Sequence, residues 1–378
     1  MKFLFSLAFH WAFHFVISFA ILLTFAMGNA AEVLIERQTN KGSQGSSAAR
    51  GTLYVLSIGV SHFQDRFWPT LKWPAMDAKS FAQSLGVNSG TKVNSQLSQV
   101  KVRTLINEQA TLDNLKAEIQ ELRRNLSPSD QLLIYFSTHG TLAPGTQEQW
   151  EKVLVLYNTQ QNLDFALRHN ELYELLQPIA ARKKLVIFAS CHSGVGKSKW
   201  PSHIERLLAA RKGQSPEFED VSESLMVFSA AAKNETAQDD DSLKGDIYTH
   251  FFIEGLKLGD RNQDGAITAI EAHDFAKSKT FQFSGGKQRP TALLGMIGEG
   301  DMTLVGQKTN KGLPLLEGYN IKYQGLALRT NKGGREILPS AVSLQEGINR
   351  VEVFAPSSQK PFSIFEVEAV QGESISLD

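Results

Sequence analysis

Short, nearly continuous apolar runs recur along this chain, at Leu53–Val60, Gln131–Phe136, Lys184–Ala189 and Leu225–Ser229. A run of about four to eight apolar residues without polar alternation fits a strand buried on both faces. Helical patterns lie between these runs. One is expected near 75–85 and another near 170–180. Thr111 is placed to cap an amphipathic helix over 112–126, with Leu112, Leu115, Ile119 and Leu122 on one face. A further strand is expected near 100–106 and a hairpin-like stretch around 152–157. Strands alternating with helices predict an α/β fold: a mostly parallel sheet with helices on both faces.

The ends read differently. Residues 1–30 carry Lys2 as their one charge, an apolar stretch from Phe3 to Met27, and small residues Gly28 and Ala30 ahead of Ala31. That is the layout of a signal peptide cleaved before Ala31. The stretch is also long enough to span a bilayer as an uncleaved anchor, although His10 and His14 within it favour cleavage. Export to the periplasm or beyond is expected, with membrane contact only if the segment stays attached. Residues 31–51, rich in Gly and Ser, read as a linker. The main domain is expected over 52–304. After it, short alternating runs such as Arg350–Phe354 and Phe362–Glu368, separated by Gly, Pro and Ser, predict a small all-β module over 305–378.

Composition excludes some functions. Lys and Arg number 39 against 39 Asp and Glu, and losing residues 1–30 would leave 38 against 39. A balanced chain lacks the basic surplus that nucleic acid requires, so none is expected as partner. A single cysteine excludes an internal disulfide and a multi-thiolate zinc site. It also argues against a thiol redox protein, which needs a resolving partner.

In an open parallel sheet, ligands bind beyond the carboxyl ends of the strands. Two such ends carry reactive groups: Ser137-Thr-His-Gly140, and Ser190-Cys-His-Ser-Gly194. If the strands are neighbours, His139 and Cys191 face one another across the crevice. An imidazole can accept the thiol proton, and the thiolate attacks a carbonyl. The Gly140 and Cys191 N–H groups would form an oxyanion hole. A lone Cys is most often a small buried hydrophobe, and a lone His a hydrogen-bonded core or surface residue. Their coincidence at two strand ends, each followed within three residues by a glycine, outweighs that reading. His192 is a competing base, but a neighbour on an extended turn points away.

The runs Leu-Leu-Ile-Tyr-Phe-Ser-Thr-His-Gly and Leu-Val-Ile-Phe-Ala-Ser-Cys-His-Ser-Gly resemble the catalytic strands of caspase-like cysteine peptidases of the bacterial caspase and metacaspase type. Ser57–Phe63, Met76–Ala78 and Ser229–Asp239 fit the same pattern. The resemblance covers about 52–300. It implies a caspase–hemoglobinase fold and hydrolysis of protein or peptide substrates by a Cys191–His139 dyad. It also implies an acidic specificity pocket for Arg or Lys before the scissile bond. By motif position that pocket would use Asp77, Ser137 and residue 189. Ala189 stands where an Asp is usual, so Asp239, or its neighbours Asp240 and Asp241, would have to compensate. The segment 195–224, with Lys197, Lys199, Arg206, Arg211 and Lys212, is a candidate for self-cleavage. The rival function is a catalytically idle caspase-fold scaffold whose β module docks to a partner.

Asp260-Arg-Asn-Gln-Asp-Gly-Ala-Ile-Thr-Ala-Ile-Glu271 matches an EF-hand loop. Asp260, Asn262, Asp264, the Ala266 carbonyl, Thr268 and Glu271 fall at the ligand positions, between expected helices at 251–258 and 270–278. Calcium is the expected ion, as a brace of the fold. The competing reading is a metal-free Asp/Asn/Gly turn. No organic cofactor is expected.

Overall fold

The computed structural model describes residues 35–38, 51–86, 97–144, 150–190, 223–232, 235–297, 301–307, 312–318, 325–338, 340–372 and 374–377. At its centre is a six-stranded sheet. In chain order its strands are β1 (Gly51–Gly59), β2 (Leu97–Ile106), β3 (Gln131–Ser137), β4 (Lys183–Ala189), β5 (Glu223–Ser229) and β6 (Thr291–Ile297). In space they run β6-β5-β4-β3-β1-β2. The first five are mutually parallel, and β6 pairs antiparallel with β5 at the edge.

Period-two alternation divides the apolar residues of these strands between two cores. Leu133 and Tyr135 of β3, with Leu185, Ile187 and Ala189 of β4, face one core. There they meet α1 (Pro74–Leu85), α4 (Ile247–Leu258) and α5 (Ala269–Phe283). Leu132, Ile134 and Phe136, with Val186 and Phe188, face the other, against α2 (Leu112–Asn125) and α3 (His169–Leu176). Burying each such Leu, Ile or Phe side chain contributes about 1.5–3 kcal/mol. That is why the strands read as unbroken apolar runs: both parities are covered.

Local signals decide where the helices stop. Thr111 caps α2, its hydroxyl accepting from the Asn114 N–H at 3.2 Å. Helix α3 ends at Leu176 rather than continuing toward 180. Pro178 follows two residues later and has no N–H to donate to the preceding turn. Strand β6 has no counterpart in the sequence reading, because Gly295 interrupts a run that Pro290 already precedes. The expected hairpin near 152–157 is a three-stranded sheet of Gly140–Pro144, Trp150–Leu154 and Leu167–Arg168.

The C-terminal part is all β. One four-stranded sheet joins Ile35–Gln38, Ser374–Leu377, Leu315–Gly318 and Ser340–Ser343 in that order. A second orders Glu336–Ile337, Ala327–Arg329, Gly347–Phe354 and Ser363–Ala369. Residues from Ile35 onward form one compact unit, and part of the stretch read as linker is thus a strand. Strand Thr303–Gly306 pairs with Ala266–Thr268, just ahead of α5. Among the described residues no helix is long and apolar enough to cross a membrane. The apolar segment near the N-terminus lies outside them.

Candidate active site

The β3–β4 register sets Ser137 directly beside Ala189. The next residues along each strand are therefore the two motif turns. By parity Ser137 points to the face that α1 covers. Asp77, in the first turn of α1, is 4% exposed there, and Ser137 Oγ donates to its carboxylate at 3.5 Å.

A carboxylate so buried needs donors. The backbone N–H of Asp246 donates to Asp77, 3.2 Å from Oδ1 and 3.3 Å from Oδ2. Gly245 permits this approach, since a Cβ there would lie 2.4 Å from Asp77 Oδ1. Asp246 itself caps α4: its Oδ1 accepts from the Thr249 N–H at 2.7 Å and hydroxyl at 2.8 Å. Its Oδ2 is buried without a hydrogen-bond partner. Burial, then the charges of Asp246 and Asp239, push the Asp77 carboxyl up to about 8. Burial likewise pushes Asp246 up to about 7, against the pull of its Thr249 bonds.

The acids Asp239, Asp240 and Asp241 are held differently. Asp240 accepts from the Ser242 and Leu243 N–H groups, and Asp241 pairs with Lys72 at 2.8 Å and with the Trp73 indole N–H at 3.2 Å. Asp239 is surface-exposed. The surrounding protein still strips solvent from its carboxyl, which together with Asp241 raises its pKa. The charge of Asp239 also acts on Asp77. Asp77, Ser137 and Asp239 are thus brought together, with Ala189 on the same face.

His139, two residues past Ser137, is half-buried and stacks on Phe63 with ring centroids 5.2 Å apart. Trp68 stands beyond it at 6.2 Å. His139 Nε2 lies 2.8 Å from the Pro69 carbonyl oxygen. A carbonyl can only accept, so Nε2 carries the proton and Nδ1 is the basic nitrogen of the neutral ring. Burial holds the imidazole below its usual pKa, partly offset by the Pro69 bond. Gly140 opens the strand that pairs with Trp150–Leu154. Cys191, His192, Gly194 and the segment as far as 222 lie outside the described residues.

Residues 52–297 match the caspase domain. The chain belongs to the caspase-domain family. No curated protein matches it. Among solved structures, protein GSU0716 from Geobacter sulfurreducens aligns at 18% identity, covering 65% of this chain and 94% of its own, with a TM-score of 0.45. Caspase-1 from Spodoptera frugiperda aligns at 12% identity over 69% and 91%, with a TM-score of 0.40.

Within this caspase domain, sequence reasoning missed two groups. Asp246 was hidden because its motif value is that of a helix cap, and only the fold sets it against Asp77. Pro69 acts through a carbonyl, which no residue-type pattern can reveal.

The loop read as an EF-hand joins α4 to α5. Asp260 accepts from the Asp264 and Gly265 N–H groups at 3.1 Å each, and Asp264 from Ala266 N–H at 2.8 Å. Gly265 takes a φ of 88°, the left-handed region where glycine is favoured. Thr268 and Glu271 form a reciprocal capping box at the start of α5. Asn262, Asp264 and Glu271 are buried. Among the described residues no three His, Cys, Asp or Glu side chains already stand together as a metal cage.

Proposed function

We propose that the protein is an exported cysteine endopeptidase that cleaves after Arg or Lys, with Cys191 as nucleophile and His139 as base. The β3–β4 register carries this reading. It puts the strand leading to His139 beside the strand leading to Cys191, each motif residue two positions beyond the pair Ser137–Ala189.

His139 Nδ1 takes the thiol proton, and the Cys191 thiolate attacks the scissile carbonyl. The Gly140 and Cys191 N–H groups hold the developing oxyanion. The imidazolium then protonates the leaving amine as the C–N bond breaks, leaving an acyl-enzyme. Water, deprotonated by the same imidazole, attacks the thioester carbonyl, and departure of the thiolate releases the acid. Pro69 keeps the ring in the tautomer this sequence needs.

The preference for a basic residue follows from charge. The groups acting most on Asp77 are the acids Asp246 and Asp239. A buried group of carboxyls is costly unless a cation enters, and a guanidinium can bridge two of them with paired hydrogen bonds. Asp246, its Oδ2 unpartnered, supplies charge that Ala189 does not. The Lys- and Arg-bearing 195–224 segment would then be a substrate for self-cleavage. The apolar segment of residues 3–27 directs export, with removal before Ala31.

The test is hydrolysis of matched fluorogenic peptides with Arg, Lys or Asp before the scissile bond, by the wild-type chain and by Cys191→Ala. Cleavage of the Arg and Lys peptides alone, lost in the variant, is expected. No hydrolysis, and no labelling of Cys191 by an arginyl electrophile, would leave the idle scaffold as the reading. A Cys191→Ala chain that still breaks between 195 and 224 would sink self-processing.

A further inference from the structure

The first turn of α5, where the loop from α4 ends, holds an oxygen that the protein does not use. Glu271 is 7% exposed. Its Oε2 accepts from the Thr268 N–H at 3.0 Å and hydroxyl at 3.2 Å. Its Oε1 is buried and has no hydrogen-bond partner. A carboxylate oxygen withdrawn from water with nothing bound to it is strongly disfavoured unless a cation or donor arrives.

The surroundings identify that arrival as a cation. The other side-chain oxygens gathered by this loop belong to Asp260, Asn262 and Asp264: the Asp264 N–H donates to Asp260 Oδ1 and to Asn262 Oδ1 at 3.1 Å each, and Asp264 Oδ1 accepts from the Ala266 N–H at 2.8 Å. Asn262 and Asp264 in the same loop are 9% and 3% exposed. The loop is also roofed by the chain that follows the caspase domain. The Leu313 N–H donates to the Asn262 carbonyl at 2.5 Å, and the Gln307 N–H to the Gly265 carbonyl at 3.2 Å. Gly312 passes so close that a Cβ on it would lie 2.7 Å from Asp264 Cβ.

We infer that Glu271 Oε1, with the side chains of Asp260, Asn262 and Asp264 and the Ala266 carbonyl, binds a calcium-type cation that clamps the α4–α5 hairpin to residues 303–307 and 312–318. All of these are hard oxygen donors, and Thr268 stands at the position that reaches the ion through water. Such a set, on a loop able to turn its side chains, suits a large ion that accepts irregular coordination of six to eight oxygens. Magnesium, which demands a near-ideal octahedron and sheds water reluctantly, fits it less well. Gly265 already provides the sharp turn of such a loop, and the Asp260 carboxylate is turned inward onto the Asp264 and Gly265 N–H groups.

The experiment uses the full chain and no substrate, so its result is independent of peptidase activity. Unfolding is followed by heating in chelator, in calcium chloride and in magnesium chloride, and calcium binding is titrated calorimetrically. Calcium at about a hundredfold over its dissociation constant should raise the wild-type Tm by roughly 3–4 °C, magnesium by much less. Glu271→Gln keeps an oxygen for the Thr268 N–H and should lose at least tenfold in calcium affinity, with the Tm in chelator little changed. If that variant does not fold, Asp260→Asn is read the same way. The inference is overturned by no calcium heat up to about 10 mM, beyond the weakest range of such loops. It is equally overturned by an equal shift in magnesium, or by variants that bind calcium as the wild type does.

Discussion

The main-chain N–H of Asp246 points into the Asp77 carboxylate while the Asp246 side chain turns back to cap α4. One residue thereby fixes its neighbour's charge and adds its own beside it. Both carboxyls lie in protein interior, and their raised pKa values record the cost. Replacing Asp77 by Asn should cut kcat/KM for an Arg peptide by about 10²–10³, the loss typical of one partner in a buried charge pair. Asp246→Asn should cost about tenfold, since its Oδ1 remains engaged with Thr249. Steady-state kinetics on Arg and neutral peptides would check this. An Asp246 variant with unchanged preference would remove that residue from the pocket.

Stability should fall as pH rises through the same pair. Both acids titrate higher in the folded chain than in the unfolded one, where each is near 3.8. Between those values the folded state binds more protons, so raising pH favours unfolding until about 8. Denaturant unfolding at pH 5 and pH 8 should show the loss, and Asp77→Asn should flatten it. A cation must displace those protons, so affinity for an arginyl ligand should rise over the same interval.

Placing a carboxyl at position 189 separates these effects. Ala189 is 5% exposed and sits beside Ser137. Ala189→Asp should lower the Tm of the free protein, because a further acid is buried among acids. It should sharpen discrimination of Arg over neutral peptides. Loss of stability without a gain in discrimination would put residue 189 away from the bound cation.

His139→Ala should reduce kcat by about 10³ or more, as loss of a general base does. Phe63→Ala removes only the ring against which the imidazole stacks. It should lower kcat about tenfold with KM nearly unchanged, because orientation rather than binding is lost. A KM effect of the same size would mean that Phe63 contacts substrate.

Tyr135 offers a purely structural check. Its hydroxyl meets Thr249 Oγ1 at 2.7 Å, and Thr249 donates onward to Asp246. Thr249 has one hydroxyl proton, so Tyr135 must donate the first bond. Tyr135→Phe should cost about 1–2 kcal/mol, read as a lower denaturant midpoint with an unchanged slope.

What was legible in the sequence was whatever one stretch of chain can express alone. The buried strands, the Thr111 cap and the reactive strand ends carry their own signals. Strand β6 and the Asp246–Asp77 contact do not. The first is held by its neighbour β5, and the second joins residues 169 positions apart. The engagement of Asp241 was equally closed to sequence, since Lys72 and Trp73 reach it from residues 169 and 168 positions away, whereas Asp240 is held by the nearby Ser242 and Leu243 N–H groups.

Helix α4 starts at the carboxyl beside Asp77 and ends at the loop that carries Glu271. Its twelve residues make a rod about 18 Å long. A stiff strut passes on axial displacement where a floppy tether would absorb it, so sag at one end arrives at the other as a change in gap. A substitution that shifts α4 along its axis would therefore be felt at the Asp77 carboxylate and at the loop together.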